Sequence, residues 1–311
     1  MGSDIINIVS VCDGMAGARI ALDRLGKKVD NYYSLEVDKF CKKIANKNYP
    51  DIRQLGDVYD FGEDELEKLP KIDLIIGGTP CQNLSNAVAG REEYHTGLQG
   101  KKSGLFFQYV RVLKWLKENN NSSIKFVLEN VGSMKNEDKE IIDKILQVNG
   151  IEINSKYFSA QERSRYYWFN LEVPPLKKVD TNSRVLKDII LDPEDVTKIE
   201  ENSRMNFWYQ EDFEVHEGEK VIATLDINGY DILKRVYDIN YKSPTLTTCN
   251  GGNTQKKILQ NGKPRKLLPI EYERLQTVPD NYTEGVSNTQ RYNMLGNGFT
   301  IKVIEHILQN L

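Results

Sequence analysis

The sequence predicts an α/β fold, a parallel sheet covered by helices on both faces. Three features lead there. Short apolar, β-rich runs alternate with stretches of helical spacing. The runs read as continuously apolar, as strands buried on both faces do. Polar residues with chemical potential follow these runs directly, at their carboxyl ends. In open α/β sheets that edge is where ligands bind, near the point where strand order reverses.

The elements follow in order. Ile5 to Val11 is a strand that stops at Cys12-Asp13-Gly14. A helix follows with Ile20, Leu22 and Leu25 on its apolar side, and Gly26 ends it. Tyr32 to Leu35 is a strand running into Glu36, and Lys39 to Asn46 has helical spacing. Ile72 to Ile76 breaks at Gly77-Gly78-Thr79-Pro80-Cys81. Leu105 to Leu116 is helical, and Ile124 to Leu128 is a strand ending at Glu129-Asn130-Val131. Asn136 is positioned to cap a helix that turns Ile141, Ile142, Ile145 and Leu146 inward, with Gly150 closing it. At the end of the chain, Ile301, Ile304, Ile307 and Leu308 line one face of a last helix that should dock on the large domain.

Composition narrows the class. Of 311 residues, 28% are charged and 39% hydrophobic, values of a folded globular chain rather than a disordered one. Apolar runs such as Phe126-Val127-Leu128 are far shorter than a bilayer span, and the N-terminus lacks the pattern of a signal peptide. Four scattered cysteines without a C-x-x-C pair read as free thiols, and three dispersed histidines do not suggest a metal. The expectation is a soluble, cytoplasmic protein with no membrane and no metal partner. The net charge of −3 hides an uneven distribution. Asp188 to Asp231 holds 13 acidic residues against 3 basic, and Ile232 to Leu268 holds 8 basic against Asp238 alone. Either the basic segment faces phosphate or the two segments are ordinary charged loops.

Residue chemistry adds detail. Gly14 and Gly17 let the backbone turn tightly and approach a ligand, as they would in a purely structural turn. Glu36 stands where an acid often holds ribose hydroxyls, the alternative being a surface carboxylate. Asp57 is a weaker case, because capping is common for such a residue. Pro80 fixes the turn that presents Cys81, a potential nucleophile if its neighbours lower its pKa and otherwise a small buried hydrophobe.

Thr79-Pro80-Cys81-Gln82, Glu129-Asn130-Val131 and Gln161-Glu162-Arg163-Ser164-Arg165 occur in that order. They resemble the Pro-Cys, Glu-Asn-Val and Gln-x-Arg-x-Arg motifs of the DNA (cytosine-5) methyltransferases. Leu268 to Gln276 with Val278-Pro279-Asp280 is similar to the family's penultimate motif, and Gly296-Asn297-Gly298 to its last. The likeness runs from Ile6 to Ile307 apart from a gap around Leu171 to Gly262. It implies a Rossmann-like S-adenosylmethionine-dependent methyltransferase sheet (4–170 plus 288–311) with a smaller target-recognition domain (171–287). It also implies S-adenosylmethionine as methyl donor, near Asp13, Gly14, Met15, Ala16, Glu36, Val37, Asp57, Val58, Gly78, Pro80, Asn297, Gly298 and Phe299.

The implied reaction uses Cys81, Glu129, Arg163 and Arg165. The Cys81 thiolate would attack carbon 6 of a cytosine while Glu129 hydrogen-bonds or protonates N3. The two arginines, two apart on a strand and so on one face, would hold the base carbonyl, the Glu129 carboxylate or phosphate. A base inside a duplex must first be flipped out. The aperiodic stretch from Asn83 to Ser103 resembles a closing lid, with Ser85 and Arg91 facing DNA. Thr248, Asn250, Asn253, Gln255 and Lys256 are the expected base and phosphate readers, on an Asn250-Gly251-Gly252-Asn253 turn that also serves as a plain connection. Phe207-Trp208-Tyr209, in the acidic half, is expected to be core. The partner implied is double-stranded DNA, met by a monomer.

Two departures stand out. Cys12 replaces an aromatic expected against the donor, in a motif whose Asp13-Gly14-Met15-Ala16 is similar to the eukaryotic de novo enzymes, and Val278 replaces a commoner Phe. Three other readings stay open: an RNA cytosine methyltransferase, since a branch of the family acts on transfer RNA; an inert DNA-binding regulator; and a nicotinamide-dependent oxidoreductase, which leaves Pro80-Cys81 and the arginine pair unexplained.

Overall fold

The computed structural model describes residues 5–79, 104–176, 183–203, 206–210, 213, 215–216, 218–249 and 253–311. Contacts divide the chain into two compact units. The first comprises the described parts of Met1–Asn154, Ser164–Pro175 and Ile301–Leu311; the second comprises those of Ser155–Arg163 and Leu176–Thr300. Residues 288–300, expected with the catalytic domain, thus pack within the second unit.

The first unit is built on a sheet of seven strands among the described residues: β1 (Ile5–Val11), β2 (Lys28–Leu35), β3 (Arg53–Gln54), β4 (Leu74–Gly78), β5 (Lys125–Val131), β6 (Ile151–Asn154) and β7 (Ser164–Phe169). Their order is β3-β2-β1-β4-β5-β7-β6. The pairings from β3 through β5 are parallel, and strand order reverses between β1 and β4. β7 runs antiparallel to both β5 and β6, so the wholly parallel sheet expected holds only for five strands. The parallel strands earn their place through burial: Leu74, Ile75 and Ile76 are fully buried, as are Ile8, Val9 and Val11.

Helices α1 (Gly17–Arg24), α2 (Lys39–Asn48), α3 (Glu63–Leu66), α4 (Gly104–Asn119) and α5 (Asn136–Leu146) come between these strands. In α2, Asp38 caps the first turn by accepting from the amides of Phe40 and Cys41. From α4 the buried Tyr109 hydroxyl donates to the Val127 carbonyl at 3.0 Å, fixing helix to sheet. Helix α5 departs from expectation in two respects. Its N-cap is Lys135, without a side-chain cap, and Asn136 is already its first helical residue. Ile142 and Leu146 are buried, but Ile141 is 44% and Ile145 38% exposed, because only one side of this helix meets the sheet.

The second unit carries β8 (Val221–Thr224), β9 (Arg235–Asp238), β10 (Lys257–Gln260) and β11 (Lys263–Lys266), in the order β11-β10-β9-β8. Helices α6 (Pro193–Ser203), α7 (Asp231–Lys234), α8 (Pro269–Leu275) and α9 (Asn288–Asn297) belong to it, while the last, α10 (Ile301–Leu308), packs on α1 in the first unit. As its apolar spacing predicts, α10 buries Ile301, Ile304, Ile307 and Leu308. Phe207 is core, as expected, beside Val196 and Leu268. In α9, Gly296 lies against the backbone of Thr247 and Thr248, where an added Cβ would come within 2.5 Å of the Thr247 carbonyl carbon; only glycine permits that approach. Among the described residues, no helix is long and apolar enough to cross a membrane, and no group of three or more His, Cys, Asp or Glu is placed to hold a metal.

Candidate active site at the strand ends

The carboxyl ends of β1, β2, β4 and β5 carry the polar residues singled out above. After β1 the backbone visits the left-handed region at Cys12, Gly14 and Ala16, with φ of 54°, 61° and 63°. For two residues other than glycine that is a strained conformation of the kind concentrated at functional turns. The turn is held from β2: the Cys12 amide donates to the Leu35 carbonyl at 2.8 Å, and the Gly14 amide to Glu36 Oε2 at 2.7 Å. Glu36 Oε1 accepts from the amides of Val37 and Asp38, both at 2.8 Å, so this carboxylate is anchored by three backbone donors. A Cβ at Gly14 would meet nothing within 4 Å, which leaves open space beside the turn.

Beneath the turn lies a buried polar cluster. Asp13 Oδ1 accepts from the Ser10 and Tyr32 hydroxyls, each at 2.6 Å, while Oδ2 is buried with no hydrogen-bond partner among the described residues. Burial pushes the Asp13 carboxyl up to about 6, against the opposing hydroxyls of Ser10, Tyr32 and Ser34. Cys12 is pushed up to about 12, first by burial and then by Glu36, Asp57 and Asp13, so it is a neutral thiol and no nucleophile. Asp57 accepts from the Tyr59 amide in a local turn, the capping use foreseen for it, and Val58 and Met15 are buried. Val37 is exposed.

β4 ends at Gly78, which pairs in register with Glu129 of β5. The buried Asn130 amide donates to Thr79 Oγ1 at 3.1 Å and fixes the start of the turn that leads toward Pro80 and Cys81. Pro80, Cys81, Ser85 and Arg91 lie outside the described residues. Glu129 is itself buried, and Arg165 from β7 contacts it, Nε to Oε1 at 2.9 Å. Register explains the meeting: β7 pairs antiparallel with β5, placing Arg165 opposite Val131, two residues beyond Glu129 and on the same face.

The chain matches the family model "C-5 cytosine-specific DNA methylase" over residues 6–311. It belongs to that family. It is 25% identical to the type II methyltransferase M1.ScrFI of Lactococcus lactis subsp. cremoris over 98% of this chain and 77% of that protein. It is also 25% identical to M.HhaI of Haemophilus parahaemolyticus, over 98% of this chain and 94% of that protein. In fold it is similar to the methyltransferase EhMeth of Entamoeba histolytica, with a TM-score of 0.68 at 14% identity, covering 99% of this chain and 98% of that one.

Other expected site residues of this methylase stand elsewhere. Arg163 precedes β7 rather than sharing its face with Arg165, so the expected arginine pair is not formed by strand alternation. Its buried guanidinium donates to the carbonyls of Leu246, Gly296 and Gly298 at 3.0, 3.1 and 3.2 Å, which ties three backbone segments together. Asn297 ends α9 exposed, Gly298 follows as its C-cap, and Phe299 is buried. Of the expected DNA readers, Thr248 is exposed, Asn253 and Gln255 are half-buried, and Asn250 lies outside the described residues. Lys256 is buried, and burial pushes its ammonium pKa down, so it is not placed to meet phosphate.

Four of the eight basic residues of Ile232 to Leu268 are buried: Lys242, Lys256, Lys257 and Arg265. Lys242 donates to the carbonyls of Ser159 and Arg184, and Lys257 to those of Leu233, Asn253 and Gln255. Arg265 forms a fully buried bidentate pair with Glu271, at 2.8 and 2.6 Å. These cations are internal scaffolding rather than a phosphate-facing row. Sequence reasoning also passed over Ser10, Tyr32 and Ser34. Their signal was two serines inside otherwise apolar strands, at positions where hydroxyls need a partner.

Proposed function

We propose that this methylase transfers a methyl group from S-adenosylmethionine to carbon 5 of a cytosine flipped out of double-stranded DNA, through a transient bond between Cys81 and carbon 6. The supporting observation is the buried Glu129–Arg165 pair at the end of β5, in register with the end of β4 from which the chain runs to Pro80-Cys81. The donor fits the first strand end: a carboxylate, Glu36, fixed by three amides, and a strained glycine turn with open space beside it. Asp13, Gly14, Met15, Ala16, Glu36, Val37, Asp57, Val58, Gly78 and Pro80 would hold it, with Asn297, Gly298 and Phe299 assigned by resemblance. When bound, S-adenosylmethionine supplies a methyl group on a sulfonium that leaves as a neutral thioether.

The chain's own residues do the rest. The Cys81 thiolate adds to carbon 6, which breaks the ring's aromaticity and places electron density on carbon 5. Glu129 gives a proton to N3 as that density builds, and becomes a carboxylate. Arg165, already on Oε1, stabilises that carboxylate. After methyl transfer the proton on carbon 5 departs to a base, carbon 5 and carbon 6 regain their double bond as the Cys81 thiolate is expelled, and N3 returns its proton to the Glu129 carboxylate. Functionally, 4–170 plus 288–311 serve catalysis and 171–287 serve target recognition, in a cytoplasmic monomer that needs no metal.

A duplex carrying 5-fluorocytosine tests the bond, because fluorine cannot leave as a proton and the adduct is trapped. A complex that survives denaturation and maps to Cys81 is expected, and Cys81→Ala abolishes it. Trapping that persists in Cys81→Ala, or trapping of RNA in preference to DNA, contradicts the proposal.

A further inference from the structure

Two of the most exposed apolar side chains of the second unit stand next to each other on a turn that is otherwise rigidly held. Tyr230 is 83% exposed and Ile232 53%. They sit at the start of α7, between β8 and β9. The Leu233 amide donates to the Tyr230 carbonyl at 2.8 Å, and the Leu225 amide to the Lys234 carbonyl at 3.0 Å. Arg235 grips Asp231 Oδ2 with both Nε and Nη2, at 2.9 and 2.6 Å. A chain that fixes its backbone this firmly yet leaves an aromatic and an aliphatic side chain in water has the marks of a recognition element: few rotors to order and a large apolar surface to bury.

Lys257 shows what this turn is fastened to. Its fully buried ammonium donates to the Leu233 carbonyl at 2.6 Å, on the turn, and to the Asn253 and Gln255 carbonyls at 2.6 and 3.0 Å. One side chain therefore clamps the Tyr230 turn to the segment that carries Asn253 and Gln255. Tyr209 braces the same place: its hydroxyl donates to Asn253 Oδ1 at 3.1 Å, and the Lys257 and Lys266 ammonium groups lie 5.8 and 5.3 Å from its ring centre. Residues 225–266 carry eight basic residues against Asp226, Asp231 and Asp238, and Asp231 is already paired with Arg235, so the support beneath the turn is net positive although several of its cations are buried. An apolar tip on a positive support fits a polyanion whose bases offer methyl groups and π-faces, which is duplex DNA rather than an acidic or neutral protein surface.

We infer that Tyr230 and Ile232 contact the bases of the target duplex as specificity-determining residues, and that Lys257 is a positioning residue that sets their distance from Asn253 and Gln255. The inference rests on the DNA-methylating reading above. Tyr230 and Ile232 supply contact that discriminates thymine methyl groups and base stacking, while the amide side chains of Asn253 and Gln255 supply hydrogen bonds to base edges.

Plasmid DNA, methyl-labelled S-adenosylmethionine and sequencing of modified cytosines provide the test. The Tyr230→Ala/Ile232→Ser double variant, altered only at exposed positions, should raise KM for the plasmid about tenfold, leave kcat within about twofold, and bind S-adenosylhomocysteine as the wild type does. Lys257→Met should broaden the set of methylated sites to sequences one base pair removed from the wild-type site, and Lys257→Arg should narrow it again; loss of stability alone would lower activity at all sites equally. A double variant that methylates the wild-type sites with unchanged KM overturns the inference and leaves the proposed function standing. Wild-type protein that places no 5-methylcytosine in the plasmid overturns the proposed function, and this inference with it.

Discussion

The two units bury charge for opposite purposes. At the strand ends of the first unit, Glu129 meets Arg165, and Asp13 keeps Oδ2 buried without a hydrogen-bond partner among the described residues. In the second unit the buried charges are saturated. Arg265 is matched at both Glu271 oxygens and at Gln260, and Lys257 has three carbonyl acceptors. Saturated charge holds a fold; charge with an open valence is available for chemistry. Building rigidity from internal cations leaves the surface side chains of this unit outside the scaffold.

The contrast is sharpest if single substitutions separate activity from stability. Glu129→Gln keeps shape and removes the proton donor. It should lower kcat by about 10²- to 10⁴-fold with an unchanged unfolding midpoint, measured by initial rates and thermal melting. Arg265→Met should do the reverse. It strands the Glu271 carboxylate in the interior and should lower the unfolding free energy by about 3–5 kcal/mol in a urea titration, with much of the loss recovered in Arg265→Met/Glu271→Leu. Methylation lost without destabilisation in Arg265→Met would break the comparison, since that charge would then be functional.

A smaller effect concerns Asp13. Its folded carboxyl titrates near about 6 against 3.8 for an ordinary aspartate, so the folded state holds the proton more tightly than the unfolded chain does. Burial of the ionised form therefore carries a penalty that is absent below pH 3.8 and complete once pH has risen through about 6. Relative to Asp13→Asn, the wild type should lose stability over that window, by at most about 3 kcal/mol. A stability difference that does not vary with pH would show that burial leaves the Asp13 pKa unshifted.

Much of this was legible in the sequence, and the failures have a common cause. Buried parallel strands are apolar throughout, so β1, β4 and β5 are visible, and with them the placement of Asp13, Glu36 and Glu129 at their ends. Arg165 was legible only through its motif, with the Glu129 carboxylate as one of three candidate partners; the pairing of β7 with β5 is what brings the two together. Arg163 and Arg165 meet different partners, the carbonyls of Leu246, Gly296 and Gly298 for the first and Glu129 for the second, which their spacing of two does not reveal. Counting charges left the role of the basic segment open, and Lys256 was expected to read DNA although it is buried, because a buried lysine and a lysine in water look alike in a sequence. Helix α5 misled similarly, since its periodicity admits Ile141 and Ile145 to an apolar face wider than the sheet can cover.

The central claim, that the Glu129 site methylates carbon 5 of cytosine in duplex DNA, is tested most directly by nucleoside analysis. Unmethylated plasmid would be incubated with methyl-labelled S-adenosylmethionine and the protein, digested to nucleosides and resolved by mass spectrometry. The account predicts label in 5-methyldeoxycytidine alone with wild-type protein, and none above background with Cys81→Ala. Label in N6-methyldeoxyadenosine or N4-methyldeoxycytidine, or undiminished 5-methyldeoxycytidine with Cys81→Ala, would contradict it.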